Sequence, residues 1–261
     1  MPVYKAEGIV LGRRNLGEAD RILVLLTREH GKLSVKARAV RKPTSRLSGR
    51  LEPFTHARFL LARGRTLDVV AQVEVIESFA AVRTDLLRTA WASVCAELTE
   101  RMLGELEPHP EVFEALRQAQ EVLAGGDPEV ATLWYVLRLV SLLGYRPVLD
   151  RCAVCGQRVR GAGGWQVVDG GLLCAACTLR DPRARGIRGE TVGALRFLSH
   201  ARPHHLARLR LSPSARAEAL DALVTYAEAR MEGRLRSLGI LRDLQASARP
   251  PGGDILEARN P

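Results

Sequence analysis

Four of the five cysteines in this chain fall within one 26-residue span, as Cys152, Cys155, Cys174 and Cys177. Each Cys-x-x-Cys pair can turn its two sulfurs toward a common point, and the intervening ribbon of eighteen residues is long enough to fold back and join the two knuckles. Four thiolates at about 2.3 Å form a closed tetrahedral site suited to Zn²⁺. Gly161, Gly163, Gly164, Gly170 and Gly171 supply the bends a hairpin between knuckles needs. So short a span cannot bury a core of its own, and bound metal would supply its stability.

Other uses of these thiols fit less well. Two disulfides would require an oxidising compartment. A redox motif needs only one pair, and the spacing matches neither common ferredoxin run for an iron–sulfur cluster. A hydrolytic zinc keeps one position open for water, which four cysteines close. A zinc deaminase would show H-x-E ahead of P-C-x-x-C, and no such pattern stands before either pair. The expected metal is therefore structural. Cys95 falls on an apolar helical face and reads as a core residue.

The second chemical signal is cationic. From Arg28 to Arg50 the chain carries Arg28, Lys32, Lys36, Arg38, Arg41, Lys42, Arg46 and Arg50 against the single acid Glu29. Lys32, Lys36 and Arg38 share the parity of one strand face, and Ser and Thr interleave with the later arginines. Long cationic side chains beside hydroxyls suit phosphate contact. Lys32, Lys36, Arg38, Arg41 and Lys42 are the first expected contacts, Arg46 and Arg50 come next, and Arg13, Arg14 and Arg21 extend the patch. Aromatics are few here (Tyr4, Phe54, Phe59, Phe79) and read mostly as core, so binding should rest on charge, respond to salt and discriminate weakly between sequences. The segment with Arg202, His204, His205, Arg208 and Arg210 reads as a basic surface turn.

These groups need a scaffold. The 261 residues, 46% hydrophobic, are enough for two or three modest domains. The net charge of +10 is uneven: +7 over residues 1–80, −5 over 81–150, +3 over 151–180 and +5 over 181–261. A basic chain of this kind meets acidic partners such as nucleic acid. The first 80 residues hold five short Ile/Val/Leu-rich segments separated by turn residues, and Leu67, Val69, Ala71, Val73 and Val75 alternate as in a half-buried strand. Five strands of this length fit an OB-fold barrel, with an SH3-like barrel as the alternative. Residues 81–150 show helical spacing, as at Leu87, Trp91, Val94, Leu98 and Met102. Pro110 and Pro128 stand at helix starts and Gly144 at a helix end. Ser212–Pro213 reads as an N-cap ahead of one long pattern from Ala215 to about Leu244. The predicted organisation is an α+β multidomain chain: a five-stranded OB-fold nucleic-acid-binding barrel (1–80), a helical domain in two parts (81–150 and 181–246), an inserted four-cysteine zinc ribbon (151–180) and a flexible tail (247–261).

Neither a signal-peptide pattern nor a membrane-length apolar run is present; the longest aliphatic run is Ile22–Leu26. The expected setting is cytoplasmic and nucleoid-associated, with no membrane partner. The chain has no phosphate-binding loop, nucleophile elbow or H-E-x-x-H. Nucleotide hydrolysis and strand cleavage are not expected, although a metal-dependent nucleic-acid hydrolase and a zinc-ribbon RNA-binding or transcription-associated module stand as the competing classes.

The stretches "YKAEGIVLGRRNLGEADRILVLLTREHGKL", "RLSGRLEPFTHARF" and "LLGYRPVLDRCAVCG" resemble, in that order, the opening signature, the next block and the helix–ribbon join of the bacterial RecO family. Ala37 departs from the glycine of the family's K-G-x-[RK] element. The resemblance implies a non-enzymatic recombination mediator. Such a protein binds single- and double-stranded DNA, anneals complementary strands, partners with RecR, engages the single-strand-binding protein and so helps load RecA onto gapped DNA. It also implies that the acidic tail of the single-strand-binding protein docks outside the barrel, with the basic rear half as a candidate surface.

Overall fold

The structure, a computed structural model, describes residues 2–45, 47–168 and 170–247. Alternating side chains set the first domain. β1 (Val3–Leu16), β2 (Asp20–Thr27), β3 (Gly31–Ala37), β4 (His56–Ala62) and β5 (Asp68–Glu77) close into a barrel in the order β1-β2-β3-β5-β4. The long β1 serves two neighbours: Val3–Ile9 pair with β4 and Gly8–Leu16 with β2. In β3, Leu33, Val35 and Ala37 point into the barrel, while Lys32, Ser34 and Lys36 form the outward row. Ala37 is fully buried, so the methyl group standing at the expected glycine has a place in the core.

β5 departs from the expected alternation. Val70 and Val73 are buried, whereas Val75 and Ile76 are exposed. The β4–β5 register shifts at Leu60/Leu61 and again at His56/Ala57, and each extra residue on β5 flips the faces that follow.

The helical domain follows with α1 (Ala80–Thr84), α2 (Leu86–Met102), α3 (Pro110–Gly125) and α4 (Pro128–Leu142). Asp85 and Asp127 cap α2 and α4 by accepting backbone N–H groups, and Pro110 and Pro128 occupy first turns. α4 ends at Gly144 (φ 85°), a left-handed stop. α4 is buried on nearly every side and is the axis of the large core. Cys95 lies in that core, where burial pushes its thiol up to about 12.

The ribbon comprises β6 (Gly163–Gln166), β7 (Gly171–Leu173), α5 (Ala175–Arg180) and β8 (Arg185–Ile187), with sheet order β7-β6-β8. α6 (Gly189–His200), α7 (Pro213–Arg230) and α8 (Arg236–Ser247) complete the domain. Ser212 caps α7 as expected, but the single long pattern beyond it is two helices. Glu232 adopts φ 53°, the Gly233 N–H returns to the Glu228 carbonyl, and the Glu228 carboxylate accepts the Leu235 N–H at 2.8 Å. The expected flexible tail lies, apart from Ser247, outside the described residues.

The barrel is joined to the helices at one end of β3. The Lys32 carbonyl accepts the Leu106 N–H at 3.0 Å. Gly31 (φ 71°) lies so close to the Glu107 backbone that a Cβ would sit 2.2 Å from its carbonyl oxygen. Arg28 covers the Phe113 ring at 4.9 Å and pairs with Glu114 at 3.3 Å. Among the described residues, no helix is long and apolar enough to cross a membrane.

Candidate nucleic-acid interface and metal centre

The strand registers decide where the predicted cations meet. Arg14 stands opposite Ile22, Ile22 opposite Lys36, and Arg21 opposite Ala37, so the end of β1, the start of β2 and the end of β3 share one end of the barrel. The chain after β3 folds onto the β1–β2 turn there. The Arg41 N–H donates to the Ala19 carbonyl at 2.9 Å and its guanidinium to the Gly17 carbonyl at 2.8 Å. Asp20 fastens the corner, accepting the Ala39 N–H at 2.8 Å and pairing with Lys36 at 2.9 Å. The Ala39 N–H first, and Lys36 next, hold the Asp20 carboxyl below its ordinary range.

Arg14, Arg38, Arg41, Lys42 and Arg50 are exposed around this corner. None of Arg14, Arg38, Lys42 or Arg50 forms an ion pair among the described residues. Arg13 and Arg21 are occupied differently, since both reach Glu52, Arg21 at 3.6 Å. They close the rim of the barrel. Lys32 stands apart at the opposite end of β3, its ammonium donating to the carbonyls of Glu100 at 2.5 Å and Leu103 at 2.6 Å. Arg46 lies outside the described residues. Sequence reasoning missed Arg65, an exposed residue of the β4–β5 turn with no ion pair among the described residues. That turn stands toward the other end of the barrel: β3 and β5 are parallel, so the Val35–Asp68 and Lys36–Val69 pairs run residues 63–67 back along β3, and Arg63 covers Tyr4, which meets His30 of the β2–β3 turn. The compact "ARGRT" turn between two strands was its only sequence signal.

The barrel offers few rings for stacking. Phe54, Phe59 and Phe79 are buried, and the Tyr4 hydroxyl donates to Asp68 at 2.5 Å beneath the Arg63 guanidinium. Burial first, and Asp68 next, push the Tyr4 hydroxyl up to about 12. The chemistry this end can do is neutralisation of a polyanion, not base readout.

The four ribbon cysteines converge as their spacing predicts. Their Sγ atoms all lie within 4.8 Å of one another, and Cys155 and Cys174 are 3.7 Å apart. A tetrahedron of sulfurs about 2.3 Å from a central ion has edges of about 3.8 Å, so the set fits a metal ion. Gln157 and Gly156 close the first knuckle through backbone bonds with Cys152, and Cys174 opens α5. Desolvation opposes ionisation of Cys152, but N–H groups of Cys155, Cys174 and Val154 outweigh it and hold the thiol down at about 6. Among the described residues, only Cys152, Val159 and Leu173 form the ribbon's own buried cluster. Its other face rests on the helices: Trp165 Nε1 donates to the Ala222 carbonyl at 3.1 Å and its ring meets Tyr226. His204 and His205 lie at the surface on a short 3₁₀ turn, away from the sulfurs.

A closed five-stranded barrel with a cationic corner, joined to a helical domain that carries a four-cysteine metal-site ribbon, defines the class. Residues 1–79 match the family described as Recombination protein O N terminal, and residues 83–239 that described as Recombination protein O C terminal. The DNA repair protein RecO of Pelotomaculum thermopropionicum is 38% identical over 256 residues, 98% of this chain and 100% of its own length. The corresponding protein of Desulforudis audaxviator is 37% identical over 248 residues (95% and 100%), and that of Bacillus subtilis 35% over 225 (86% and 88%). The chain belongs to the RecO family of DNA repair proteins.

Proposed function

We propose that this chain is a non-enzymatic DNA-annealing mediator. It binds single- and double-stranded DNA through the cationic barrel corner, screens phosphate repulsion between complementary strands and leaves their bases free to pair. The observation that carries this reading is the corner itself. Two loops are hydrogen-bonded into one surface on which Arg14, Arg38, Lys42 and Arg50 stand without an ion pair among the described residues. Lys36 and Arg41 extend that surface, Arg13 and Arg21 support its rim, and Lys32 belongs to the domain junction.

Bound Zn²⁺ on Cys152, Cys155, Cys174 and Cys177 would supply structural cross-linking, with no open position for a substrate. By family resemblance, the partners are RecR and the single-strand-binding protein, and the downstream event is loading of RecA onto gapped DNA.

The test is annealing of complementary oligonucleotides without nucleotide. Faster duplex formation with every strand intact is expected. Shortened, metal-dependent products would replace this reading with a hydrolase, and strong preference for structured RNA would replace it with an RNA-binding module.

A further inference from the structure

Two carboxylates stand at the β1–β2 turn of the barrel corner, and the fold holds them differently. Glu18 is exposed, and its carboxylate forms no ion pair among the described residues. Asp20 is half-buried, with one carboxylate oxygen 2.8 Å from the Ala39 nitrogen and the other 2.9 Å from Lys36 Nζ. By charge alone both acids oppose a polyanion, and neutralising either should strengthen binding. Geometry gives Asp20 a second effect of opposite sign.

The chain leaving β3 reverses at Ala39, which holds φ 52°, a left-handed conformation that a Cβ disfavours. The Ala39 carbonyl accepts the Lys42 N–H at 3.2 Å, and the Lys42 carbonyl accepts the Ser45 N–H at 2.9 Å, so the turn that begins at Ala39 carries Lys42. The next residue, Val40, is fully buried in the barrel core, whereas Arg38 and Lys42 on either side are exposed. Among the described residues, the Ala39 N–H has the Asp20 carboxylate as its acceptor and no other. Without that oxygen the N–H loses its partner within the fold, and the turn is released toward the conformations alanine prefers. A loop that must be ordered at each binding event binds more weakly than one already formed.

We infer that Asp20 is a positioning residue for strand binding: its oxygen holds the left-handed Ala39 turn that presents Arg38 and Lys42 together, and this outweighs the repulsion of its charge. The inference rests on strand binding at the barrel corner, as proposed above, and assigns that site the group that preforms it. Glu18, in the same turn, has the charge without the hold.

The test removes one negative charge from this turn in three ways on the full-length chain: Glu18→Ala, Asp20→Asn and Asp20→Ala. Asparagine keeps a carbonyl oxygen for the Ala39 N–H, and alanine does not. Affinity for a labelled single-stranded oligonucleotide is read across a salt series, beside thermal unfolding and hydrogen exchange of the Ala39 amide. Glu18→Ala and Asp20→Asn are expected to bind up to about twofold more tightly than wild type. Asp20→Ala is expected to bind about fivefold more weakly, with a salt slope flatter by about one and faster exchange at Ala39. Asp20→Ala/Ala39→Gly, where glycine takes the left-handed turn without the Cβ penalty, should return to within about twofold of wild type. A folded Asp20→Ala chain that binds more tightly, as Glu18→Ala does, overturns the inference. So does Asp20→Asn as weak as Asp20→Ala, which would assign the effect to the Lys36 ion pair, and so does a double variant that regains stability without affinity. Wild-type protein that binds no strand overturns the function proposed above and this role with it, whereas wild-type binding beside a tightened Asp20→Ala chain overturns this role alone.

Discussion

Lys32 Nζ donates to the Leu103 carbonyl oxygen at 2.6 Å, tying the third barrel strand to the C-terminal end of α2. A cation at a helix C-terminus satisfies carbonyls that have no partner within the helix and complements the helix dipole. Lys32→Met should therefore lower stability by about 1–3 kcal/mol and change strand affinity little. Denaturant titration beside a binding isotherm checks this, and a large loss of affinity with unchanged stability would return Lys32 to the DNA-binding surface.

The barrel corner gives a graded expectation. Arg14→Ala/Arg38→Ala/Lys42→Ala should weaken single-strand binding and flatten the slope of log affinity against log salt by about two. Reversing charge at Lys36, Arg38 and Arg41 should do more. Asp20→Asn removes the acid that holds Lys36 and should raise affinity modestly. A salt series on each variant separates these effects.

Metal removal should act through architecture. Cys152→Ser, or a strong chelator, should lower the thermal midpoint and solubility and shift tryptophan fluorescence, because Trp165 sits between the ribbon and α7. Elemental analysis should find one zinc per chain. A soluble, fully folded Cys152→Ser chain that no longer anneals would instead give the metal a direct role.

Glu97 caps α8 from a different helix. Its carboxylate accepts the N–H groups of Arg236 at 3.0 Å and Ser237 at 2.8 Å, and the Ser237 hydroxyl at 2.6 Å. Desolvation raises its pKa, but the Ser237 hydroxyl and the two N–H groups outweigh it, so the folded value lies below the unfolded one. The stabilisation is thus fully present above the ordinary glutamate range and is lost as pH falls through the depressed value. Glu97→Ala should cost about 1–2 kcal/mol and speed hydrogen exchange in α8 at neutral pH, with the difference from wild type shrinking in acid.

Gly31→Ala places a methyl group against the Glu107 carbonyl at a left-handed backbone position. A loss of about 3 kcal/mol or more is expected by thermal unfolding. Gly17→Ala, also at positive φ but with open space around it, should cost less.

The sequence revealed what local spacing encodes. The cysteine pairs are read directly, because each knuckle is closed within a few residues. Barrel strands β1 to β3 follow from alternation, but the bulges in β5 are set by its pairing with β4, which alternation alone does not report. The break between α7 and α8 hides inside continuous helical spacing, since Glu228 and Gly233 form it after the chain has turned. Parity placed Lys32 with Lys36, correctly for the strand face, but it carries no information on which end of β3 meets a helix. Glu52 as the partner of Arg13 and Arg21, and Glu97 as the cap of α8, join residues far apart in the chain and are visible only once it has folded.

Trp165 belongs to the ribbon's sheet by backbone and to the helical core by side chain. The cysteine loop is thus a brace and not an appendage. A chain with those cysteines left empty would keep its barrel while the helical half slackens, so the loss of one small ion would be felt across the larger core through one indole ring.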